Sequence, residues 1–187
     1  FSYMSRLYAT QPAIYGKARA WLAKCYIEQN WNYDAEDVIR NMLRDSIHWR
    51  AQKEWDYTFA DYYIHTGNAE QAIPYLRKVI SHEMRRKQKA REWYLMGQLQ
   101  ASIGNKKEAY KAFRHVIRQN PPYELAFNAR IAMTEVMAKD NAGKMISRLK
   151  RMAASDNNKE YQDQIYYAIG NIHLSRKDTL QAITAYE

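Results

Sequence analysis

The sequence is poor in cysteine, glycine and proline, and it has no long apolar run. It contains one Cys, six Gly and four Pro among 187 residues. Cys25 alone forms no intrachain disulfide and no Cys-based zinc site, so we interpret it as a small core residue. Uncharged apolar runs fall short of the ~18 to 20 residues that a membrane span requires, and the first residues lack the apolar stretch of a signal peptide. We therefore expect a soluble chain without a transmembrane segment. The start at Phe1 rather than Met is compatible with a signal or anchor removed upstream.

The titratable side chains form no pattern that is typical of catalysis. The histidines are widely separated, and His82-Glu83 lacks the second histidine of a zinc-protease helix. The sequence also lacks a glycine-rich phosphate loop. We therefore expect no enzyme activity, no metal site and no cofactor. The five histidines are His48, His65, His82, His115 and His173.

What the sequence does contain is an internal repeat with a period of 37 residues. Three segments align without gaps, and each begins with a bulky residue followed by a small one. These pairs are Leu22-Ala23, Phe59-Ala60 and Met96-Gly97, and Ile169-Gly170 begins a fourth match. A weaker unit lies between the third and fourth matches, with Ile131-Ala132 assigned to its first helix. A repeat of this length indicates a solenoid of stacked helical units.

Each unit is predicted to form two antiparallel helices. Apolar residues follow the small alanine of the second helix at i+4, i+7 and i+8, which is typical of one buried helical face. Asn30, Gly67 and Gly104 lie between the two helices, and these residue types accept the left-handed conformation that ends a helix. Small residues mark the positions where two helices must approach closely. They are Ala23, Ala60, Gly97, Gly170, Ala35, Ala72, Ala109 and Ala182.

This pattern resembles the tetratricopeptide repeat, most closely at 67–76 and 93–121. The resemblance implies an all-α superhelical solenoid of about five antiparallel helix pairs, cut from a longer array. Gln100 and His173 depart from it at the aromatic position, and the weaker unit lacks a clear second small alanine. The first two units are about three residues longer than the usual period, which predicts second helices longer by about one turn. The proposed divisions are the end of a preceding repeat at 1–14, repeats at 15–51, 52–88 and 89–123, a degenerate repeat at 124–158 and a partial repeat at 159–187.

Stacked helix pairs form an extended concave surface lined by first helices, and we expect a protein or peptide partner there. Tyrosine recurs two positions before the bulky residue, and polar residues recur two positions after it. Tyrosine offers a large contact area at a low cost in rotamer entropy, which suits a peptide or a partner helix. An equally weighted alternative is that the rings only pack between adjacent first helices. The predicted groove residues are Tyr57, Tyr94, Tyr167, Lys24, Asp61, Gln98 and Asn171, and the same register assigns Ala20, Ala129 and Met133 to these positions.

The net charge of +9 is concentrated in one segment. Residues 77–118 contain 12 basic and 3 acidic residues, whereas the segments before and after are close to neutral. We expect an exposed basic edge, partly on second helices and, at 85–91, on the extension that joins two units. The simplest interpretation of this edge is a solvated face. The alternatives are an acidic protein, an anionic membrane surface or nucleic acid, although the absence of interleaved aromatics at 85–91 disfavours single-strand stacking. The basic edge comprises Arg77, Lys78, Arg85, Arg86, Lys87, Lys89, Arg91, Lys111, Arg114 and Arg118.

The segments 20–26 and 34–39 resemble the repeat region of the Bacteroidota gliding-motility and type IX secretion lipoprotein family. That resemblance implies a periplasmic protein anchored to the outer membrane by a cysteine upstream of Phe1, which helps to assemble a secretion or motility machine. Without it, a cytoplasmic location is the expectation. Our prediction is a non-catalytic scaffold or adaptor in a larger assembly, and the alternative is a regulatory module that binds nucleic acid through the basic edge.

Overall fold

The computed structural model of the protein consists of helices joined by short connections. It describes residues 1–187, except for the side chain of Lys139. These residues form no strand, which confirms the predicted all-α fold. The α-helices are α1 (Ser2–Leu7), α2 (Pro12–Glu28), α3 (Asn32–Arg44), α4 (Gln52–His65), α5 (Ala69–His82), α6 (Arg86–Ser102), α7 (Lys106–Arg118), α8 (Tyr123–Ala153), α9 (Gln162–Ser175) and α10 (Thr179–Tyr186). Short 3-10 helices at Trp49–Ala51 and Asp156–Tyr161 lead into α4 and α9.

The chain divides into two compact units, Phe1–Met84 and Arg85–Glu187. In the first unit, α2 packs against α1, α3 and α4, and α5 pairs with α4. The indole of Trp55 is fully buried, and its Nε1–H donates a hydrogen bond to the carbonyl oxygen of Gly16 at 2.9 Å. A Cβ on Gly16 would lie 2.9 Å from the Cβ of Ala51, so this glycine permits the close approach of α2 to the segment before α4.

The second unit repeats the pairing, with α6 against α7, α7 against α8, α8 against α9 and α9 against α10. Close approaches again occur at small residues. The aromatic ring of Phe113 lies where a Cβ on Gly97 would be, with ring carbons 2.5 to 2.7 Å from that position. Ala109 is fully buried beside it in the same core cluster. The expectation that small residues permit close helix contacts is therefore met at Gly97.

Helix α8 folds back on itself at Asn141, whose backbone is non-helical (φ −146°, ψ 52°). A straight helix of 31 residues would be about 46 Å long. The hydroxyl of Tyr123 nevertheless donates a hydrogen bond to the carbonyl oxygen of Asn157 at 3.0 Å, so both ends of α8 lie together. We call 123–140 the first arm and 142–153 the second arm. The two arms are the helix pair of the weaker repeat.

The turns inside the pairs share one backbone conformation. Positive φ angles occur at Asn30 (58°), Gly67 (73°), Gly104 (79°) and Lys177 (64°). The first three are spaced by 37 residues, and one further period leads to Asn141. The predicted left-handed turns are therefore confirmed at 30, 67 and 104. The fourth turn lies one period after Gly104 and has a different conformation.

The prediction of lengthened second helices is wrong. α3 and α5 contain 13 and 14 residues, close to the 13 residues of α7. The additional residues lie instead in the non-helical connections 45–48 and 83–85 and in α6, which has 17 residues. Glu83 lies in the second connection and is buried, which keeps this connection against the first unit. The proposed repeat boundaries stay a prediction.

Candidate partner-binding site

The predicted groove residues are distributed over the two units, and each unit is described separately. In the first unit, the ammonium of Lys24 lies 5.2 Å from the ring centre of Tyr57 and 5.0 Å from that of Trp21. The Tyr57 hydroxyl donates a hydrogen bond to Oε2 of Glu83 at 3.4 Å. The structure therefore brings Lys24 and Tyr57 together, and it orients the ring of Tyr57 by contacts at both its face and its hydroxyl.

The carboxyl of Asp61 belongs to the same half-buried region. Burial raises its pKa, the positive charge of Lys24 opposes that effect, Glu28 adds to it and His65 opposes it. His65 is held in turn by a hydrogen bond between its Nε2 and Oδ1 of Asn30 at 2.9 Å. This first-helix surface of the first unit therefore combines an aromatic ring with charges of both signs.

In the second unit, Tyr94 packs on the ring of Phe113 with ring centres 5.4 Å apart. Burial raises the pKa of the Tyr94 hydroxyl, and the carboxylate of Glu135 raises it further. Tyr94 is therefore half-buried and adjacent to the next first helix. The position of Tyr94 agrees with both interpretations of the recurring tyrosines, partner binding and packing between helices. Its ring packs on Phe113, and its hydroxyl lies near Glu135. Gln98, one turn further along α6, is exposed.

A groove of about 1200 Å³ lies beside the first arm of α8 and α9. The predicted residues Tyr167 and Asn171 line it, and Tyr186 of α10 closes one side. The ring of Tyr167 is 62% exposed and lies 5.6 Å from the ring of Tyr186. The Tyr186 hydroxyl donates a hydrogen bond to Oδ1 of Asn171 at 2.8 Å. These contacts fix two walls of the groove while leaving a tyrosine face accessible.

The register that was assumed for the weaker repeat is wrong by two residues. Ala129 and Met133, assigned to the groove, are buried in the core, as is Ala20 in the first unit. Ile131 and Glu135 line the groove in their place. They lie one period of 37 after Tyr94 and Gln98, and this spacing was the signal that could have found them.

Glu135 gives the groove its charge. Burial raises the pKa of its carboxyl, and Asp163 is the next acidic residue along the lining. The apolar surfaces of Ile131 and Tyr167 flank these carboxyls. The groove can therefore accommodate apolar side chains of a ligand together with a basic group.

The residues of the predicted basic edge are exposed, except for the half-buried Lys89. The assignment of 85–91 to an extension of a second helix is wrong, because α5 ends at His82 and residues 86–91 belong to α6. Ion pairs are described for Lys78 and Lys111. The Lys78 ammonium lies 3.8 Å from Oδ1 of Asp56, a carboxylate that is 1% exposed, and Lys111 pairs with Glu108 at 2.6 Å. Lys78 therefore compensates a buried charge in addition to contributing to the surface.

Potential metal-ligating side chains are dispersed over the described residues. Within the described part of the chain, no three His, Cys, Asp or Glu side chains are placed to hold a metal ion. Cys25 is a free, half-buried thiol. None of the described helices is long and apolar enough to cross a bilayer.

Comparison with known proteins agrees with the helix-pair architecture. The tetratricopeptide-repeat family model matches residues 57–81 and 84–123. The crystal structure of nearly identical TPR-like repeats from Podosopora anserina, described as those of a kinesin light chain, is 13% identical with a TM-score of 0.60, over 94% of this chain and 92% of that chain. A single-substitution variant of that protein gives a TM-score of 0.61 and 13% identity, over 93% and 92%. No curated protein matches the chain.

These similarities define the class of fold. Residues 57–81 and 84–123 match the tetratricopeptide-repeat model, and the chain has a tetratricopeptide-like fold. At 13% identity, the likeness to the solved structures concerns the fold alone. Tetratricopeptide repeats in general bind protein partners and serve as non-catalytic scaffolds.

Proposed function

We propose that this chain is a protein-interaction scaffold whose first helices hold a segment of a partner protein. The observation that carries the proposal is the groove of the second unit, in which Ile131, Glu135, Tyr167 and Asn171 occupy equivalent positions of two consecutive first helices. An extended surface of this kind is where helical-repeat proteins bind their ligands. The exposed tyrosine face supplies contact area, and the acidic residues favour a partner segment that combines apolar and basic side chains.

Co-purification with variants of the full-length protein tests this proposal. We expect Glu135→Lys and Tyr167→Ala to remove the partners that wild type retains, because the first reverses the groove charge and the second removes its accessible ring. The control is Tyr33→Ala, which removes a tyrosine that is 90% exposed and lies in the first unit. Circular dichroism should show that all three variants are folded. Retention of the same partners by both groove variants would contradict the proposal.

The surface of the first unit extends the same proposal to Lys24, Tyr57 and Asp61. The contacts of Lys24 and Glu83 with Tyr57 support a role of this ring in presenting a fixed surface. The proposal also includes Tyr94, because it lies one period after Tyr57 and is close to Glu135. The double variant Tyr57→Ala with Tyr94→Ala should therefore lose partner capture while its melting temperature falls only modestly. Unchanged partner capture by the double variant would indicate that the two tyrosine rings serve only in packing.

The assembly that this scaffold serves is proposed from the resemblance at 20–39, namely a cell-envelope secretion or gliding-motility machine. Fractionation of the native cells tests this more specific proposal. A full-length protein of this kind should appear in the outer-membrane fraction and be accessible from the periplasm. Recovery of the protein in the cytoplasmic fraction would contradict the proposed assembly, but it would not contradict the scaffold function.

A further inference from the structure

A second concave site lies on a different side of the α8 hairpin. It has a volume of about 620 Å³ and is bordered by both arms of α8 and by the connection to α9. Arg130 from the first arm and Lys144, Arg148 and Arg151 from the second arm line it. Arg130 and Glu135 are five residues apart, which separates their directions on the helix by about 140°. The site is therefore distinct from the groove that contains Glu135.

The positive charge of this site is not compensated locally. Its described lining contains no acidic residue, and none of the ion pairs described for the chain involves these four side chains. Lys144, Arg148 and Arg151 follow one another at helical spacing, so they share one face of the second arm. Four neighbouring cations repel one another, and a bound anion relieves that repulsion.

The wall of the site is fixed by hydrogen bonds that leave the cations available. The Tyr123 hydroxyl contacts the carbonyl oxygen of Asn157 at 3.0 Å and also the side-chain oxygen of Asn158. The Asn158 amide donates to the carbonyl oxygen of Met152 at 2.7 Å. Asn158 is itself buried. These bonds anchor the connection after α8 against the start of the helix, so the shape of the cavity exists before any ligand binds.

Apolar side chains accompany the charges. Met145 and Met152 also line the cavity, and methionine adapts its shape to varied apolar partners. Guanidinium groups bind carboxylates through paired hydrogen bonds. A short concave site of this composition suits the side chains of a peptide. A nucleic-acid strand would require a longer track of phosphate contacts and stacking surfaces.

We propose that this cavity, the acidic-peptide site, binds a peptide segment in which glutamate or aspartate alternates with apolar residues. The cations Arg130, Lys144, Arg148 and Arg151 bind the carboxylates, and Met145 and Met152 contact the apolar side chains. The site does not depend on occupation of the Glu135 groove. The chain thereby offers two binding surfaces of opposite charge, as a scaffold that joins two partners requires.

Fluorescence anisotropy with a labelled hexaglutamate peptide tests the proposal, with a hexaglutamine peptide as the uncharged probe. The variant Lys144→Gln with Arg151→Gln removes two exposed cations from the site. The matched control, Arg86→Gln with Lys87→Gln, removes two exposed cations from α6 in the same unit. We expect wild type to bind hexaglutamate at low salt in preference to hexaglutamine. The site variant should bind about tenfold or more weakly, and the control should change affinity by less than about twofold.

Three outcomes would overturn the proposal: no hexaglutamate binding by wild type at low salt, equal weakening in both double variants, or preferential binding of a thymidine dodecamer that hexaglutamate does not displace. Equal weakening would indicate attraction to net charge alone, and the third outcome would assign the site to nucleic acid. Arg148→Gln is a second site variant that tests the same prediction through a half-buried cation. Thermal melting of every variant verifies that loss of binding does not reflect unfolding.

Discussion

Single residues determine how closely the helices approach. Phe113 is 2% exposed and its ring occupies the space beside Gly97, so any side chain at 97 must displace an aromatic ring that has no open space to enter. Gly143 is the contrasting case, because nothing lies within 4 Å of its missing Cβ. The structure therefore supports the prediction that Gly97 permits a close helix contact, and it shows no such contact at Gly143.

Replacing these two glycines by alanine should have opposite effects on stability. Gly97→Ala introduces a Cβ about 2.5 Å from the Phe113 ring, and we expect a loss of about 1–3 kcal/mol in the free energy of unfolding. Gly143→Ala should raise it by about 0.5–1 kcal/mol, because alanine loses less backbone entropy in a helix. Urea denaturation of both variants measures the difference. Equal effects would contradict the role of the close helix contact.

At the scale of helices and turns, the repeat is visible in the backbone as well as in the residues. The turns at 30, 67, 104 and 177 all have a positive φ, and two of these positions carry glycine. Lys177 has the same conformation with a φ of 64°. A long side chain is strained there, since its Cβ crowds the neighbouring carbonyl oxygen. The turn between α9 and α10 is therefore locally less stable than it would be with glycine.

Lys177→Gly should accordingly stabilise the second unit by about 1 kcal/mol. The neighbouring replacement Arg176→Gly is the control, because Arg176 has a negative φ of −96° and glycine there should lower stability. Thermal melting followed by circular dichroism compares the two variants. A lower melting temperature for Lys177→Gly would show that the lysine side chain contributes more than its strained backbone costs.

At the scale of the whole molecule, each unit has its own hydrophobic core. Trp55 and Phe59 belong to the core of the first unit, and Phe113, Phe127 and Leu149 belong to clusters of the second. Helical-repeat proteins draw their stability from contacts within and between neighbouring repeats. Each unit should therefore retain much of its stability without the other.

A polypeptide of residues 85–187 should fold by itself. We expect helical circular dichroism and a cooperative melting transition, because α6 to α10 pack in sequence within this unit. The same circular dichroism and melting measurements on a polypeptide of residues 1–84 test the first unit. A non-cooperative transition of 85–187 would show that its core is incomplete without the first unit.

The clustering of charge in the folded second unit differs from the distribution of charge along the sequence. Residues 119–187 contain 9 basic and 8 acidic residues, so the segment looked neutral in the sequence. Four of those basic residues nevertheless line one cavity. Counting along the chain averaged this cluster with acidic residues elsewhere in the segment. The basic edge at 77–118 was visible in the sequence because its residues are close together along the chain.

The sequence by itself determined the helix pairs, the left-handed turns at 30, 67 and 104, and the small contact residues, because these depend on residues within one or two helical turns or on the repeated period. It did not reveal the reversal at Asn141, because the register assumed for the weaker repeat was displaced by two residues. The tertiary structure decided which side chains of α8 meet. Arg130 and Arg148 line one cavity, and Ile131 and Glu135 line the groove, because the first arm packs between neighbouring helices and the second arm returns antiparallel to it.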